Sequence, residues 1–171
     1  MIKQLKLKKI SIISVHVQPS LIPITDTLYV TDKVNTYQFF GLCKNGVWVH
    51  ITLEIPKRFY CDGQSAPRFL WWFMRPDGLV RIGALIHDAL YRTKGGKIKP
   101  IKNGMNKHNI VKLTSFAEDI TIDRKSCDLV YREFYKKYAP KQKRKANIGY
   151  AALRIFGGRH FGNIIPSENK K

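Results

Sequence analysis

The stretch Ile86-His87-Asp88-Ala89-Leu90-Tyr91 contains the residue types that could carry chemistry. Histidine is the side chain best suited to accept a proton near neutral pH. The apolar residues around the pair predict a short helix over residues 83–92. On a helix the Asp88 carboxylate points about 100 degrees away from His87, so a group elsewhere in the chain must orient the imidazole. The alternative is that both are polar residues satisfied within a junction of helix and sheet.

The basic charge of the chain predicts a polyanionic partner. Thirty-one Lys and Arg against 12 Asp and Glu give a formal net charge of +19, which attracts nucleic acid, an anionic lipid surface or an acidic protein. Charge alone does not choose among these partners. The densest basic cluster is Lys136, Lys137, Lys141, Lys143, Arg144 and Lys145. It is either a phosphate-contacting patch or a solvated junction between helices.

Length and composition are those of one domain, spanning residues 1–171, with a core of its own. No apolar run is long enough for a transmembrane segment. The cysteines Cys43, Cys61 and Cys127 are odd in number and have no CxxC spacing. They therefore predict neither a disulfide framework nor a zinc site, and they favour a reducing, cytosolic setting.

The residue patterns predict an α+β fold with an N-terminal antiparallel sheet. Residues 1–55 are mainly β, and Asn45-Gly46 joins strands at 36–43 and 47–53 in a hairpin. Residues 56–82 form a shaped loop with a short helix, because prolines and Asp-Gly interrupt regular patterns there. The tail, 158–171, is expected to be loosely ordered.

Residues 83–157 are predicted to be helical, giving about three helices with a long basic loop over 93–120. One helix spans 123–138, capped by Thr121 or Asp123. The last spans 141–156 and ends at Gly157-Gly158. Its expected buried stripe is Ile148, Ala151, Ala152 and Ile155.

Three ordered motifs resemble a known family. They are Ile55-Pro56-Lys57 with Asp62-Gly63-Gln64-Ser65-Ala66-Pro67-Arg68, then His87-Asp88-Ala89-Leu90-Tyr91, then Arg124-Lys125-Ser126-Cys127-Asp128. Together they resemble an uncharacterised family of tailed-phage and prophage proteins, domain of unknown function 1353, over about residues 51–157. Gln64, Ala66 and Cys127 depart from the usual pattern. The resemblance implies a phage protein located in the host cytoplasm during infection, or incorporated in the virion.

The pairing of HDxxY with a distal aspartate is also similar to the site of phospholipases A-two. This resemblance implies His87 as the base that activates water, Asp128 as the carboxylate that orients it, and Asp88 as a calcium ligand. Asp62 and Gly63 would stand where the calcium loop belongs, although the glycine pattern of that loop is missing. Ser65, Arg68, Tyr91 and Arg124 are assigned to substrate contact or to structural support.

Three functions therefore stay open. The first is a small hydrolase acting on an anionic ester or lipid. The second is a non-catalytic virion, tail-assembly or accessory protein, in which Arg68, Arg124, Asp62, Asp88 and Asp128 form a structural polar network. The third is nucleic-acid binding through the basic cluster and the loop at 94–107. The polyanionic partner is correspondingly an anionic lipid, an acidic phage or host protein, or nucleic acid.

Overall fold

The computed structural model of the protein describes residues 3–13, 19, 21–24, 29–61, 80–96, 111–116 and 118–162. It has nine strands within those ranges: β1 Lys3–Leu5, β2 Leu7–Ile12, β3 Leu21–Pro23, β4 Tyr29–Thr31, β5 Asn35–Cys43, β6 Trp48–Ile55, β7 Tyr60–Cys61, β8 Lys112–Ser115 and β9 Glu118–Ile122. The predicted hairpin is confirmed as β5 and β6. At its turn Gly46 has a φ of 85°, a conformation that glycine adopts without steric cost.

Six strands form one mixed sheet in the order β1-β9-β8-β6-β5-β2, and β3-β4-β7 form a second, antiparallel sheet. The α+β class is confirmed. The prediction of a purely antiparallel main sheet was wrong, because β1 pairs with β9 in parallel. The long loop predicted over 93–120 was also wrong in part, since β8 and β9 extend this sheet. Both short strands are rich in polar residues, and long-range pairing rather than a local apolar pattern defines them.

Strands β1 and β2 lie at opposite edges of the six-stranded order, yet only Lys6 separates them in the chain. The sheet must therefore curve until its two edges approach each other. The start of the helix Arg124–Tyr138 contacts this junction: the main-chain N of its cap Asp123 donates to Leu5 O at 3.3 Å, and Leu7 N donates to the side-chain Oγ of Ser126 at 2.8 Å. The start of that helix is thus fixed by both edges of the sheet.

The described residues contain three α-helices, α1 Val80–Arg92, α2 Arg124–Tyr138 and α3 Lys143–Phe156. Of the two predicted caps for α2, Asp123 is the one used, accepting from Ser126 N at 2.9 Å. A 3-10 turn, Pro140–Gln142, joins α2 to α3, and another, Gly157–His160, follows α3. The short helix predicted within 56–82 falls largely outside the described residues.

The core lies between the sheet and the first two helices. Phe134 of α2 packs edge-on against Tyr37 and Phe39 of β5, with ring centroids 5.8 and 5.9 Å apart. Residues 82–91 of α1 are all buried, including Leu85, Ile86 and Leu90. This dense packing holds α1 and α2 in one relative position, which is a requirement for any chemistry shared between them.

The buried stripe predicted for α3 was wrong. Ile148, Ala151 and Ile155 are exposed, and only Ala152 of the predicted set is buried. The buried face consists of Ala146, Gly149, Ala152 and Leu153. These mostly small residues face inward where α3 packs beside α2, and small side chains allow close approach of the helices. The larger apolar residues consequently point outward.

A tight contact after α1 gives a stability prediction. Gly95 has a φ of 71°, and a Cβ there would lie 1.9 Å from the carbonyl oxygen of Ile122. Gly95→Ala should lower the free energy of unfolding by more than about 2 kcal/mol, because the positive φ is strained and the clash displaces β9. Gly46→Ala is the control: it has a similar φ and open space, and should cost about 1 kcal/mol. Equal losses in urea unfolding would contradict the proposed clash.

Candidate active site

Helix α1 places His87 and Tyr91 on one face, four residues apart. Their rings lie against each other with centroids 3.8 Å apart and a tilt of 36°. Tyr131 of α2 approaches the imidazole from another side, at 5.5 Å between centroids. The His87 side chain is only 3% exposed. Aromatic packing on two sides therefore fixes the orientation of the ring.

The carboxylate of Asp128, fully buried on α2, is where the polar contacts converge. Tyr91 Oη donates to Asp128 Oδ1 at 2.5 Å, and Arg154 Nη1 of α3 donates to Oδ2 at 2.7 Å. His87 Nε2 lies 3.4 Å from Oδ1, which is long for a hydrogen bond. One carboxylate thus joins all three helices.

The charge state of Asp128 determines the histidine tautomer. Burial alone raises the pKa of this carboxyl, but hydrogen bonds from His87, Tyr91 and Arg154 together hold its pKa below the usual value. The ionised carboxylate can only accept, so Nε2 of His87 carries a proton and Nδ1 is the acceptor nitrogen of the neutral ring. Burial, followed by the bond to Asp128, also raises the pKa of Tyr91. The tyrosine therefore stays a donor.

Sequence reasoning missed Arg154 and the role of Gly157. Arg124, the arginine singled out from the sequence, instead donates from Nη2 to the carbonyl oxygen of Arg154 at 2.9 Å. A Cβ on Gly157 would lie 2.7 Å from Tyr91 Oη, so the glycine makes room for the hydroxyl. No local pattern marks Arg154, which lies 26 residues from Asp128. The paired glycines after α3 were a visible signal, interpreted only as a helix end.

The residues predicted to hold a cation are not brought together among those described. Asp88 is buried on α1 at 8% exposure, while its predicted partners Asp62 and Gly63 lie outside the described residues. Ser65 and Arg68, which were assigned to substrate contact or structural support, also lie outside them. The part of the chain that is described contains no group of three or more His, Cys, Asp or Glu suited to a metal. One carboxylate does not supply the six to eight oxygens that calcium prefers. The described residues alone therefore do not fit a calcium site.

The basic cluster lies on the end of α2, the 3-10 turn after it and the start of α3. Lys136, Lys137 and Lys143 line a groove of about 550 Å³ beside the edge strand β2, together with Ser11, Ile12 and Asn147. Glu133 takes part in ion pairs with Arg132 at 2.8 Å and Lys136 at 3.4 Å. Lys137 and Lys143 form no ion pair with a described residue. Lys141 and Arg144 are exposed and Lys145 is half-buried.

A family model described as protein of unknown function (DUF1353) matches residues 44–153, well over half of the chain. The chain belongs to this family, as the three motifs predicted. No curated protein and no solved structure matches the chain. Helices long and apolar enough to cross a membrane are absent from the described residues.

The buried carboxylate gives a second stability prediction. Asp128→Asn should lower the free energy of unfolding by roughly 3 kcal/mol, because Arg154 and Tyr91 lose a charged acceptor. The matched control is Glu133→Gln, which removes a partly exposed charge from two ion pairs and should cost less than about 1 kcal/mol. Chemical denaturation of both variants at neutral pH measures the difference.

The pH dependence follows from the lowered pKa of Asp128. A carboxyl whose pKa is lower in the folded state stabilises the fold above its unfolded value, about 3.9. This contribution is lost as the pH falls from there through the folded pKa. The difference between wild type and Asp128→Asn should therefore be constant near neutral pH and shrink below about pH 4. A difference that grows in acid would contradict an ionised, stabilising Asp128.

Proposed function

We propose that the protein is a phage-encoded hydrolase that uses His87 as a general base on an anionic ester or lipid. The observation that carries the proposal is the contact of His87 Nε2 with the buried, ionised Asp128. This arrangement matches the division of labour implied by the resemblance to phospholipases A-two. The phage origin, and a location in the host cytoplasm or the virion, rest on the family resemblance.

In the proposed reaction Nδ1 of His87 removes a proton from water, and the resulting hydroxide attacks the ester carbonyl carbon. The tetrahedral species then expels the alcohol, which takes the proton back from His87. Asp128 stabilises the imidazolium that forms in between, as a general base requires. Tyr91 and Arg154 keep Asp128 ionised and positioned. The 3.4 Å separation is compatible with this role, because catalytic hydrogen bonds often tighten only when substrate binds.

A second candidate, a non-catalytic structural role, is favoured by the burial of the site. His87, Tyr91 and Asp128 are each at most 5% exposed, and Arg154 neutralises the carboxylate from a third helix. Such a network can serve to fix one arrangement of helices. A virion, tail-assembly or accessory protein would require nothing more from these residues. Arg124 belongs to this network through Arg154, while Arg68, Asp62 and Asp88 remain predicted members of it.

The hydrolase proposal predicts the effect of removing the base. His87→Ala should reduce fatty-acid release from phosphatidylglycerol vesicles at least about 100-fold, the usual contribution of a general base. His50→Ala is the control, since His50 lies on β6 against Phe40 and should leave the rate unchanged. Tyr91→Phe preserves the ring and removes only the donor to Asp128, so it should lower the rate less.

Activity must be expressed per folded protein, because His87→Ala also removes packing from the core. Hydrolysis that survives in folded His87→Ala would eliminate His87 as the base. A wild-type protein that hydrolyses none of a panel of anionic lipids and esters, with a lower melting temperature in His87→Ala, would favour the structural role.

Cation binding is proposed separately, at Asp88 with Asp62 and Gly63, and no step of the reaction above depends on it. Saturating calcium should raise the melting temperature of the wild type, because a ligand that binds only the folded state stabilises it. The same titration should leave Asp88→Asn unchanged, with Glu133→Gln as a control for loss of a carboxylate elsewhere. If calcium left the melting temperature of the wild type unchanged, cation binding would be rejected.

A further inference from the structure

Helix α3 presents an outward-facing apolar stripe that nothing described covers. Ile148, Ala151 and Ile155 are spaced three and four residues apart and therefore share one face. Ile148 is 43% exposed and Ile155 is 72% exposed, and Phe156 beside it is 49% exposed. Ile148, Ala151 and Ile155 belong to the stripe that the sequence pattern predicted to be buried. The sequence thus encodes an apolar face that Ile148 and Ile155 leave exposed within the described part of the chain.

Basic residues surround the beginning of this stripe. Arg144 lies four residues before Ile148, on the same face, and Lys143 lies on its flank, where it lines the groove beside β2. Lys141 is exposed in the preceding 3-10 turn. The combination of an apolar face with adjacent Lys and Arg is typical of helices that lie in the plane of a membrane surface.

We propose that the outer face of α3 docks onto an anionic phospholipid bilayer. Ile148 and Ile155 would enter the boundary between headgroups and acyl chains. Lys141, Lys143 and Arg144 would contact lipid phosphates, with the lysine-lined groove taking a headgroup. The helix has 14 residues, too few to span a bilayer. Docking therefore places the protein on the surface.

Charge complementarity selects this partner over others. A second copy of the chain carries the same formal charge of +19 and the same basic residues around the stripe, so self-association is opposed by repulsion. Nucleic acid would use the lysines, but its phosphates gain little from exposed isoleucines. An anionic bilayer uses both features of the helix, since apolar insertion and attraction to anionic headgroups contribute together.

The proposal supplies a lipid surface for the hydrolase proposed above, but it rests on different residues. Binding should therefore be measured by flotation with vesicles of mixed phosphatidylcholine and phosphatidylglycerol, using both wild type and His87→Ala. Both should float equally. Equal binding without hydrolysis would retain the docking surface and reject the hydrolase. Hydrolysis without vesicle binding would retain the hydrolase and reject the docking surface.

The decisive variants separate the apolar from the basic contribution. Ile148→Ser with Ile155→Ser should weaken vesicle binding at least about tenfold, while Val34→Ser with Val47→Ser, equally exposed elsewhere, should not. Lys143→Gln with Arg144→Gln should weaken it about tenfold, and Lys33→Gln with Lys57→Gln serves as the charge-matched control. All these positions are on the surface, so folding should be retained. Vesicles of phosphatidylcholine alone should bind weakly.

Four results would overturn the proposal. If vesicle binding were unchanged in the isoleucine variants and lost at high salt, the attraction would be electrostatic and would not involve docking of α3. A wild-type dimer in light scattering, dissociated by Ile155→Ser, would assign the stripe to a second copy. Tight binding of an oligonucleotide, reduced by the lysine variants and unaccompanied by vesicle binding, would assign the basic surface to nucleic acid. If the protein did not float with vesicles and instead bound an acidic protein through the stripe, lipid would be excluded as the partner.

Discussion

The buried negative charge of Asp128 is the constraint on which the helical half of the structure depends. An ionised carboxylate removed from water is tolerated only when charged and hydrogen-bonding groups replace its solvation. Here Tyr91 from α1 and Arg154 from α3 provide the short contacts, and His87 provides a longer one. Each donor comes from a helix other than α2, so satisfying one charge fixes the mutual positions of three helices.

The need to compensate this buried charge also involves the sheet and Gly157. Helix α2 begins where both edges of the curved sheet contact Asp123 and Ser126, which determines the position of Asp128 one turn later. Gly157 permits the approach of the Tyr91 hydroxyl, and Arg124 binds the carbonyl oxygen of Arg154. Replacing any one of these groups would leave the charge less well solvated. Interactions of this kind act as a unit and are not expected to be additive.

Local patterns in the sequence were sufficient for the hairpin, for the capped helix α2 and for the helical placement of His87 and Tyr91. They were insufficient wherever long-range packing determines the structure. Strands β8 and β9 carry polar sequences and exist through pairing with β6 and β1, and Arg154 meets Asp128 only because α3 packs beside α2. For the apolar stripe of α3, the local pattern was present but the inference that it is buried was wrong. Periodicity indicates that a helix has an apolar face, but it does not say what that face contacts.

Helix α3 connects the two proposals physically. Arg154, which neutralises Asp128, is adjacent in sequence to Ile155, the most exposed residue of the apolar stripe. An α-helix is rigid over this distance, so fixing its outer face on a bilayer would also restrict the position of the Arg154 guanidinium. The guanidinium binds Oδ2 of the carboxylate whose Oδ1 lies near His87, so a change in its position alters the electrostatic environment of that carboxylate. Docking through α3 would therefore act, through a single intervening ion pair, on the carboxylate that His87 contacts.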